Sequence, residues 1–179
     1  MVMKQYGFDF DSGICVQCHA CEVACKTMHE AEWGIRWRRV VGLWSGSFPV
    51  VTSRSVSFSC MHCGNPPCEA VCPTGAIKKR PEDGIVVVDP ERCFGCHLCL
   101  MACPFGVPQY GADGKMQKCD LCLELVSQGK EPACVATCPS GALRFGTLQE
   151  LSEQATRRSA EKITEKRVSS DGRGIEGLK

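Results

Sequence analysis

The chain has 179 residues, and its 21 lysines and arginines balance 20 aspartates and glutamates to a formal net charge of +1. This balance gives no support to nucleic-acid binding through a basic surface, and no apolar run reaches the length of a membrane span. Because 16 residues are cysteines, the hydrophobic fraction of 44% overstates a thin apolar core, and we expect bound metal to be needed for folding.

Four cysteine motifs lie along the chain, spaced C-x2-C-x2-C-x3-C, C-x2-C-x4-C-x3-C-P, C-x2-C-x2-C-x3-C-P and C-x2-C-x11-C-x3-C-P. In order, they contain Cys15, Cys18, Cys21 and Cys25; Cys60, Cys63, Cys68 and Cys72; Cys93, Cys96, Cys99 and Cys103; and Cys119, Cys122, Cys134 and Cys138. The third spacing binds a four-iron cluster in bacterial ferredoxins, where the fourth cysteine ligates another cluster. The quartets leave no cysteine over, which predicts four [4Fe-4S] clusters with all sixteen cysteines as iron ligands.

The motifs repeat in the order A-B-A′-B′. Residues 8–11 precede the first motif as residues 86–89 precede the third, and the cysteines of these two motifs are offset by a constant 78 positions. The second motif ends in C-P-T-G-A-I and the fourth in C-P-S-G-A-L. This pattern indicates that a two-cluster module has been duplicated.

Between the first two motifs, residues 35–44 and 49–59 have β-type composition and flank a turn-like S-G-S segment, which predicts a hairpin. Trp33, Trp37 and Trp44 fall in this region with arginines between them. Two interpretations are open. The one we favour is an aromatic face that covers the clusters from water, and the other is a docking surface for a partner subunit, since Trp and Arg are frequent at interface centres.

The later connections carry shorter signals. Residues 76–80 and 84–89 flank P-E-D-G, which predicts a short hairpin with an Asp-Gly turn. Residues 109–117 read as a polar connection that contains glycine, and residues 121–128 predict one or two helical turns.

The C-terminal part predicts a helix followed by a tail. Thr147 and Glu150 fit a capping box, so we expect a helix to begin there and to continue to about residue 166. One apolar stripe along it would consist of Leu148, Leu151, Ala155 and Ile163. Residues 169–179 are rich in glycine and serine and are predicted to be disordered. We therefore expect a four-cluster domain over residues 1–147 and a C-terminal helix and tail over residues 148–179.

Zinc and c-type haem are the alternative metal interpretations. Four-cysteine zinc sites pair two C-x2-C knuckles across a longer spacer, an arrangement that only the fourth motif approaches. The C-x-x-C-H matches that end at His19 and His97 would leave the other cysteines of both motifs without a role. We interpret these two histidines, and also His29 and His62, as ordinary polar neighbours of clusters.

The segment C-M-H-C-G-N-P-P-C over residues 60–68, with C-D-L-C ahead of Cys134, resembles the four-cluster iron–sulfur subunits of molybdenum- and tungsten-bispterin oxidoreductases, of the type found as the B subunit of dimethyl sulfoxide reductase. The resemblance covers roughly residues 4–150. It implies a small, loop-rich α+β fold of two ferredoxin-like modules with crossed ligation. Some relatives replace a third-motif cysteine by tryptophan and hold a three-iron cluster, whereas Cys96 here implies four cubane clusters.

In that family the first motif pairs with the fourth and the second with the third. The ligand sets that the resemblance implies are Cys15, Cys18, Cys21 and Cys138; Cys119, Cys122, Cys134 and Cys25; Cys60, Cys63, Cys68 and Cys103; and Cys93, Cys96, Cys99 and Cys72.

The resemblance also implies a non-catalytic electron-transfer subunit. It would pass single electrons between a large molybdenum- or tungsten-pterin catalytic subunit and a second redox partner, namely a flavoprotein, a ferredoxin or a membrane anchor subunit. Two alternatives stay open: an independent soluble polyferredoxin, and the polyferredoxin-like subunit of a tungsten aldehyde oxidoreductase. No set of catalytic side chains stands out.

Residues 1–10 show no secretory signal, so we expect a cytoplasmic location as synthesised, with co-export on a signal-bearing partner as the alternative. We expect no nucleic-acid partner and no membrane insertion of the chain's own.

Overall fold

Four separate two-stranded antiparallel sheets, with short helices between them, form the part of the chain that this computed structural model describes, residues 4–170. The strands are β1 (Tyr6–Phe10), β2 (Arg39–Ser47), β3 (Val50–Phe58), β4 (Ile77–Lys79), β5 (Val86–Val88), β6 (Gln109–Tyr110), β7 (Met116–Gln117) and β8 (Leu143–Thr147). The helices are α1 (Ala20–Met28), α2 (Pro67–Ala70), α3 (Leu98–Ala102), α4 (Leu123–Ser127), α5 (Ala133–Ala136) and α6 (Leu148–Ser170). These elements confirm the predicted small, loop-rich fold that contains both strands and helices.

The internal repeat folds into two equivalent pairs of antiparallel strands. Strands β4 and β5 pair within the middle of the chain, whereas β1 and β8 pair from its two ends. Beside each strand pair, the backbone N–H of an aspartate donates to the carbonyl oxygen of an alanine. The N–O distance is 2.8 Å from Asp11 to Ala142 and 2.7 Å from Asp89 to Ala76. Each strand pair therefore brings the end of a B-type motif next to the beginning of an A-type motif.

Strands β2 and β3 form the longest hairpin of the described residues, and its turn consists of Phe48 and Pro49. The hairpin itself is confirmed, but the turn predicted at residues 45–47 is wrong because these residues belong to β2. Proline has no backbone N–H to give to a strand ladder, so Pro49 marks the turn instead. Strand β2 also begins later than the predicted residue 35, at Arg39.

The three tryptophans near this hairpin differ in exposure. Trp33 is 97% exposed and Trp44 is 71% exposed, so the predicted aromatic cover over the clusters is wrong for these two side chains. Trp37 is half-buried, its ring lies 4.4 Å from that of His29 between centroids, and its Nε1 donates to Oε1 of Gln117. The docking interpretation of the exposed tryptophans stays a prediction.

The shorter predicted elements are also present. Strands β4 and β5 confirm the hairpin over residues 76–89, with Gly84 in its turn at φ +71°. Helix α4 confirms the helical turns predicted over residues 121–128. The polar connection over residues 109–117 contains a minimal hairpin of β6 and β7, which its composition did not predict.

Helix α6 begins at the predicted capping box. The Thr147 side-chain oxygen accepts from the backbone N–H of Glu150 at 3.2 Å, and the Glu150 carboxylate accepts from the backbone N–H of Thr147 at 2.8 Å. The helix runs to Ser170, so the first two residues of the tail predicted over 169–179 are helical. Residues 171–179 lie outside the described part of the chain.

Ion pairs, more than an apolar stripe, attach α6 to strand β1. Leu151 is buried, but Leu148 and Ile163 are 51% and 58% exposed, so the prediction of one continuous stripe is wrong. Arg158 Nη2 lies 2.5 Å from Oδ2 of Asp9, which is the next-to-last residue of β1. The first turns of the helix thus pack on β1 through Leu151 and Leu148, and its later turns are held by ion pairs.

Within residues 4–170, no helix combines the length and the apolar character that crossing a bilayer requires.

Candidate metal centres

The loops of the first and third cysteine motifs have the same backbone shape. His19 and His97 occupy equivalent positions, have φ of 60° and 65°, and immediately precede helices α1 and α3. A non-glycine residue in this left-handed region is uncommon. All sixteen cysteines of the chain carry free thiols. The shared shape therefore bends both loops in the same way around thiols that are free to bind metal.

Three cavities are each lined by four cysteines, three from one motif and one from another. Their cysteines are Cys15, Cys18, Cys21 and Cys138; Cys60, Cys63, Cys68 and Cys103; and Cys93, Cys96, Cys99 and Cys72. The empty space within them measures about 340, 370 and 330 Å³ in that order, including the part that is open to solvent. Each cavity therefore brings the last cysteine of one motif to the first three of another.

The remaining four cysteines form a buried group. Cys25, Cys119, Cys122 and Cys134 are each less than a tenth exposed. Burial raises the pKa of the Cys25 thiol, and the nearby Cys119 and Cys134 thiols raise it further. Burial also raises the pKa of Cys119 to about 12 and that of Cys122 to about 11. Thiols this hard to ionise become good ligands only when a cation stabilises the thiolate, as iron would.

The sulfurs of these groups are not spaced as the ligands of a single zinc ion would be. Four sulfurs bound at about 2.3 Å to one tetrahedral ion lie about 3.8 Å apart. Among the described residues, the only three potential ligands within 4.8 Å of one another are His29, Asp120 and Cys122. None of the four-cysteine groups is therefore tight enough for one ion, whereas thiolates at the corners of a cubane lie further apart.

The four groups differ in their depth. Cys18 and Cys96 are the exposed members among the sixteen, and they belong to two different cavities. Cys60 and Cys119 are buried together in one apolar cluster with Val107. The groups that contain these last two cysteines consequently lie next to each other, inside the molecule.

Two serines of strand β3 contact sulfurs of the first motif. Ser55 Oγ donates to Sγ of Cys15 at 3.1 Å, and Ser57 Oγ lies 3.6 Å from Sγ of Cys21. Both serines are buried. The sequence interpretation missed these residues, although the alternation of serine over residues 53–59 is the pattern of one strand face and could have indicated them.

The third motif receives different donors. The Tyr110 hydroxyl lies 3.2 Å from Sγ of Cys99, and the backbone N–H of Met116 donates to Sγ of Cys93 at 3.3 Å. These contacts come from the β6–β7 hairpin, which takes the place that β3 holds beside the first motif. The two equivalent motifs therefore lie in unequal surroundings.

The four histidines have different roles. His29 Nε2 lies 3.4 Å from Sγ of Cys122, and the His97 ring stacks on Tyr110 at 3.8 Å between centroids. His19 contacts the carboxylate of Glu22 instead. His62 differs from the prediction, which treated it as an ordinary polar neighbour of a cluster. It is fully buried, and its Nδ1 accepts from the backbone N–H of Val86 at 2.9 Å. Burial first, and then nearby cationic side chains, lower the pKa of His62 well below its usual value.

Known proteins match the chain over most of its length. Residues 51–148 match the family described as a 4Fe-4S dicluster domain, and residues 12–28 match a 4Fe-4S binding domain. The probable anaerobic dimethyl sulfoxide reductase chain YnfG of Escherichia coli K12 is 44% identical over 162 residues, 84% of this chain and 77% of that protein. The B subunit of anaerobic dimethyl sulfoxide reductase from the same strain is 45% identical over 159 residues, 82% and 76% of the two proteins. The formate dehydrogenase iron–sulfur subunit of Wolinella succinogenes is 39% identical over 168 residues, 81% and 82%.

Proposed function

Because this protein belongs to the family of iron–sulfur subunits that includes the B subunit of dimethyl sulfoxide reductase, we propose that it carries single electrons between a molybdenum- or tungsten-pterin catalytic subunit and a second redox partner. That family is the one the cysteine motifs predicted. The chain matches 4Fe-4S domains, and its sixteen cysteines are enough for four [4Fe-4S] clusters, each of which stores and passes on one electron at a time. The polypeptide holds the clusters, keeps water from them and adjusts their potentials through burial and hydrogen bonds.

The observation that carries the proposal is the grouping of sixteen free thiols into four sets of four. We assign the clusters to Cys15, Cys18, Cys21 and Cys138; to Cys119, Cys122, Cys134 and Cys25; to Cys60, Cys63, Cys68 and Cys103; and to Cys93, Cys96, Cys99 and Cys72. Three of these sets line a common cavity each, and the members of the remaining set are buried close together, which supports the crossed assignment.

A linear path through the four sites fits the burial of their ligands. Cys18 and Cys96 are exposed in two of the sets, so a partner can approach each of them from solvent. The other two sets include the neighbouring buried cysteines Cys60 and Cys119. An electron that enters at one exposed end would therefore leave at the other after passing two inner sites.

The β2–β3 hairpin is the surface that we propose to contact a partner subunit. Its strand β3 contacts Cys15 through Ser55, and its far end carries the exposed apolar side chains of Trp44, Phe48 and Val50, which are 71%, 92% and 74% exposed. Exposed aromatic groups of this size are favoured where subunits meet. A subunit bound there would lie beside the cluster site that Cys15 belongs to.

Serine variants of paired cysteines test the crossed assignment. We expect Cys25→Ser and Cys119→Ser to alter the same EPR signal of the reduced protein, and Cys15→Ser to alter a different one. The double variant of Cys25 and Cys119 should lose no more iron than the worse of its two single variants, because both remove the same cluster. If Cys25→Ser instead changes the signal that Cys15→Ser changes, ligation is not crossed.

Isolation of the complex tests the proposed function. We expect the tagged full-length protein, purified without oxygen from its own cells, to bring down a large pterin-binding subunit and to contain four four-iron clusters. Pterin fluorescence after acid extraction, metal analysis and iron content give independent readouts. A partner-free protein that shuttles electrons by diffusion would contradict the subunit proposal and support the independent polyferredoxin.

A further inference from the structure

Arg38 is a buried cation to which the described part of the chain offers no carboxylate partner. Its side chain is 2% exposed, and Nη1 donates to Oγ of Ser57 at 3.0 Å. Its Nε and Nη2 atoms are buried and find no hydrogen-bond acceptor within residues 4–170. Arg38 takes part in none of the ion pairs found among the described residues.

A guanidinium in this position needs negative charge nearby. Arginine stays protonated in proteins, and an isolated buried charge is strongly unfavourable unless an opposite charge or hydrogen bonds compensate for it. One hydroxyl cannot do this for a group with five N–H donors. The described part of the polypeptide therefore compensates the Arg38 charge only in part, and anionic iron–sulfur centres would supply the missing negative charge.

Two cysteine groups lie close to Arg38. In the first group, Cys21 is reached through Ser57. The Ser57 oxygen accepts from Arg38, so the Ser57 hydroxyl proton is free to point at Sγ of Cys21, 3.6 Å away. Toward the second group, helix α1 carries Cys25 one turn after Cys21, and the Phe8 ring beneath the guanidinium packs against the cluster that contains Cys119. Cys21 and Cys25 belong to different proposed ligand sets, so two proposed cluster sites lie next to Arg38.

The remaining face of Arg38 is closed by an aromatic ring. The guanidinium carbon lies 4.3 Å from the centroid of the Phe8 ring. Phe8 in turn packs against the apolar cluster that contains Cys60 and Cys119. Water is thereby kept from the cation, and its charge acts over a low dielectric, where electrostatic effects are largest.

We propose that Arg38 is the fixed counter-cation shared by two neighbouring clusters and that it raises the reduction potentials of both. Their proposed ligands are Cys15, Cys18, Cys21 and Cys138, and Cys119, Cys122, Cys134 and Cys25, so the inference rests on the ligand sets proposed above. Reduction adds one electron from the donor partner and takes a cluster with its four thiolates from a charge of about −2 to about −3. No bond forms or breaks, and the cation stabilises the more negative state more.

Removal of the charge tests the proposal. We expect Arg38→Met in the four-cluster holoprotein to lower the midpoint potentials of two of the four clusters, each by about tenfold in the reduction equilibrium, which is about 59 mV for a one-electron couple. Arg38→Lys keeps the charge and should shift them by less than half as much. The matched control is Arg54→Met, an exposed arginine on the neighbouring strand β3, which should shift none of the potentials. Potentiometric titration followed by EPR is the measurement.

The possible outcomes separate this inference from the proposed function. A wild-type protein with fewer than four clusters overturns both. If the wild-type protein holds four clusters and Arg38→Met leaves their potentials unchanged, or lowers all four equally, the inference alone is overturned. If Arg38→Met loses iron, the iron content of Arg38→Gln and Arg38→Lys is compared. Full iron content with lysine but not with glutamine supports the counter-cation. Loss of iron in all three variants overturns it.

Discussion

Hydrogen bonds to sulfur are arranged unequally around the two equivalent motifs. Ser55 and Ser57 contact Cys15 and Cys21 of the first motif, whereas one tyrosine hydroxyl and one backbone N–H contact the third. Donors to a thiolate sulfur stabilise the more negative, reduced state of a cluster. Duplication supplied two similar cysteine loops, and the side chains packed against them can give the two sites different potentials.

Removal of the Ser55 hydroxyl should lower the potential of one cluster. Ser55 is 1% exposed, so water cannot replace the donor that Cys15 would lose. A hydrogen bond of about 1 kcal/mol corresponds to roughly a fivefold change in the reduction equilibrium. We expect an EPR-monitored redox titration of Ser55→Ala to show this shift for the cluster that we assign to Cys15.

The control for that substitution is Ser53→Ala. Ser53 lies two residues earlier on the same strand face, is exposed, and accepts from Gln17 Nε2 instead of contacting sulfur. Its removal should leave every potential unchanged. Equal shifts in both variants would mean that the strand as a whole, and not the hydroxyl on Cys15, sets the potential.

The two equivalent cysteine loops hold different residues at the same position. Gly95 of the third motif has φ +73°, and Gln17 at the same place in the first has φ +56°. A Cβ atom at Gly95 would lie 2.3 Å from the carbonyl oxygen of Gly114, in the β6–β7 hairpin. Glycine is therefore required in the third motif by close packing of another loop, in addition to its backbone conformation.

Gly95→Ala should consequently disrupt one cluster site. The new methyl group would push the β6–β7 hairpin, which also carries Tyr110, away from the loop that contains Cys93 and Cys96. We expect the purified protein to contain about four irons fewer per chain and to lose one EPR signal.

Gly114→Ala is the matched control for this change. Gly114 has the same φ of +73°, but a Cβ atom there meets nothing within 4 Å. It therefore incurs the conformational strain of a left-handed alanine, about 1–2 kcal/mol, without the clash. Full iron content in Gly114→Ala and loss in Gly95→Ala would attribute the effect to packing, whereas equal loss in both would contradict it.

The sequence predicted local elements better than contacts between distant ones. The capping box at Thr147 located the start of α6, because its two hydrogen bonds join residues only three apart. The pairing of β1 with β8 was not predicted, since it joins the two ends of the chain and no local pattern encodes it. Arg38 resembled its arginine neighbours in sequence, and only the fold distinguishes it by burial.

At the scale of the whole molecule, cysteines supply much of what would otherwise be the core. One buried cluster consists of Ile77, Val86, Cys99 and Met116, and the other of Cys60, Val107 and Cys119. Further cysteines pack against both clusters. Since no continuous apolar core holds the four small sheets of the described residues together, the iron–sulfur bonds between motifs are the connections that replace it.

Removal of the clusters should therefore unfold most of the chain. Each proposed ligand set joins cysteines that are far apart in sequence, such as Cys21 and Cys138, and the loops between them contain little regular structure. We expect far-UV circular dichroism after iron chelation under reducing conditions to lose most of its native signal, and amide hydrogen exchange to become fast throughout. Anaerobic reconstitution with iron and sulfide should restore both, which serves as the control against irreversible damage. Native-like spectra and slow exchange in an iron-free chain would show that the polypeptide folds by itself, and the clusters would then bind to a fold that exists without them.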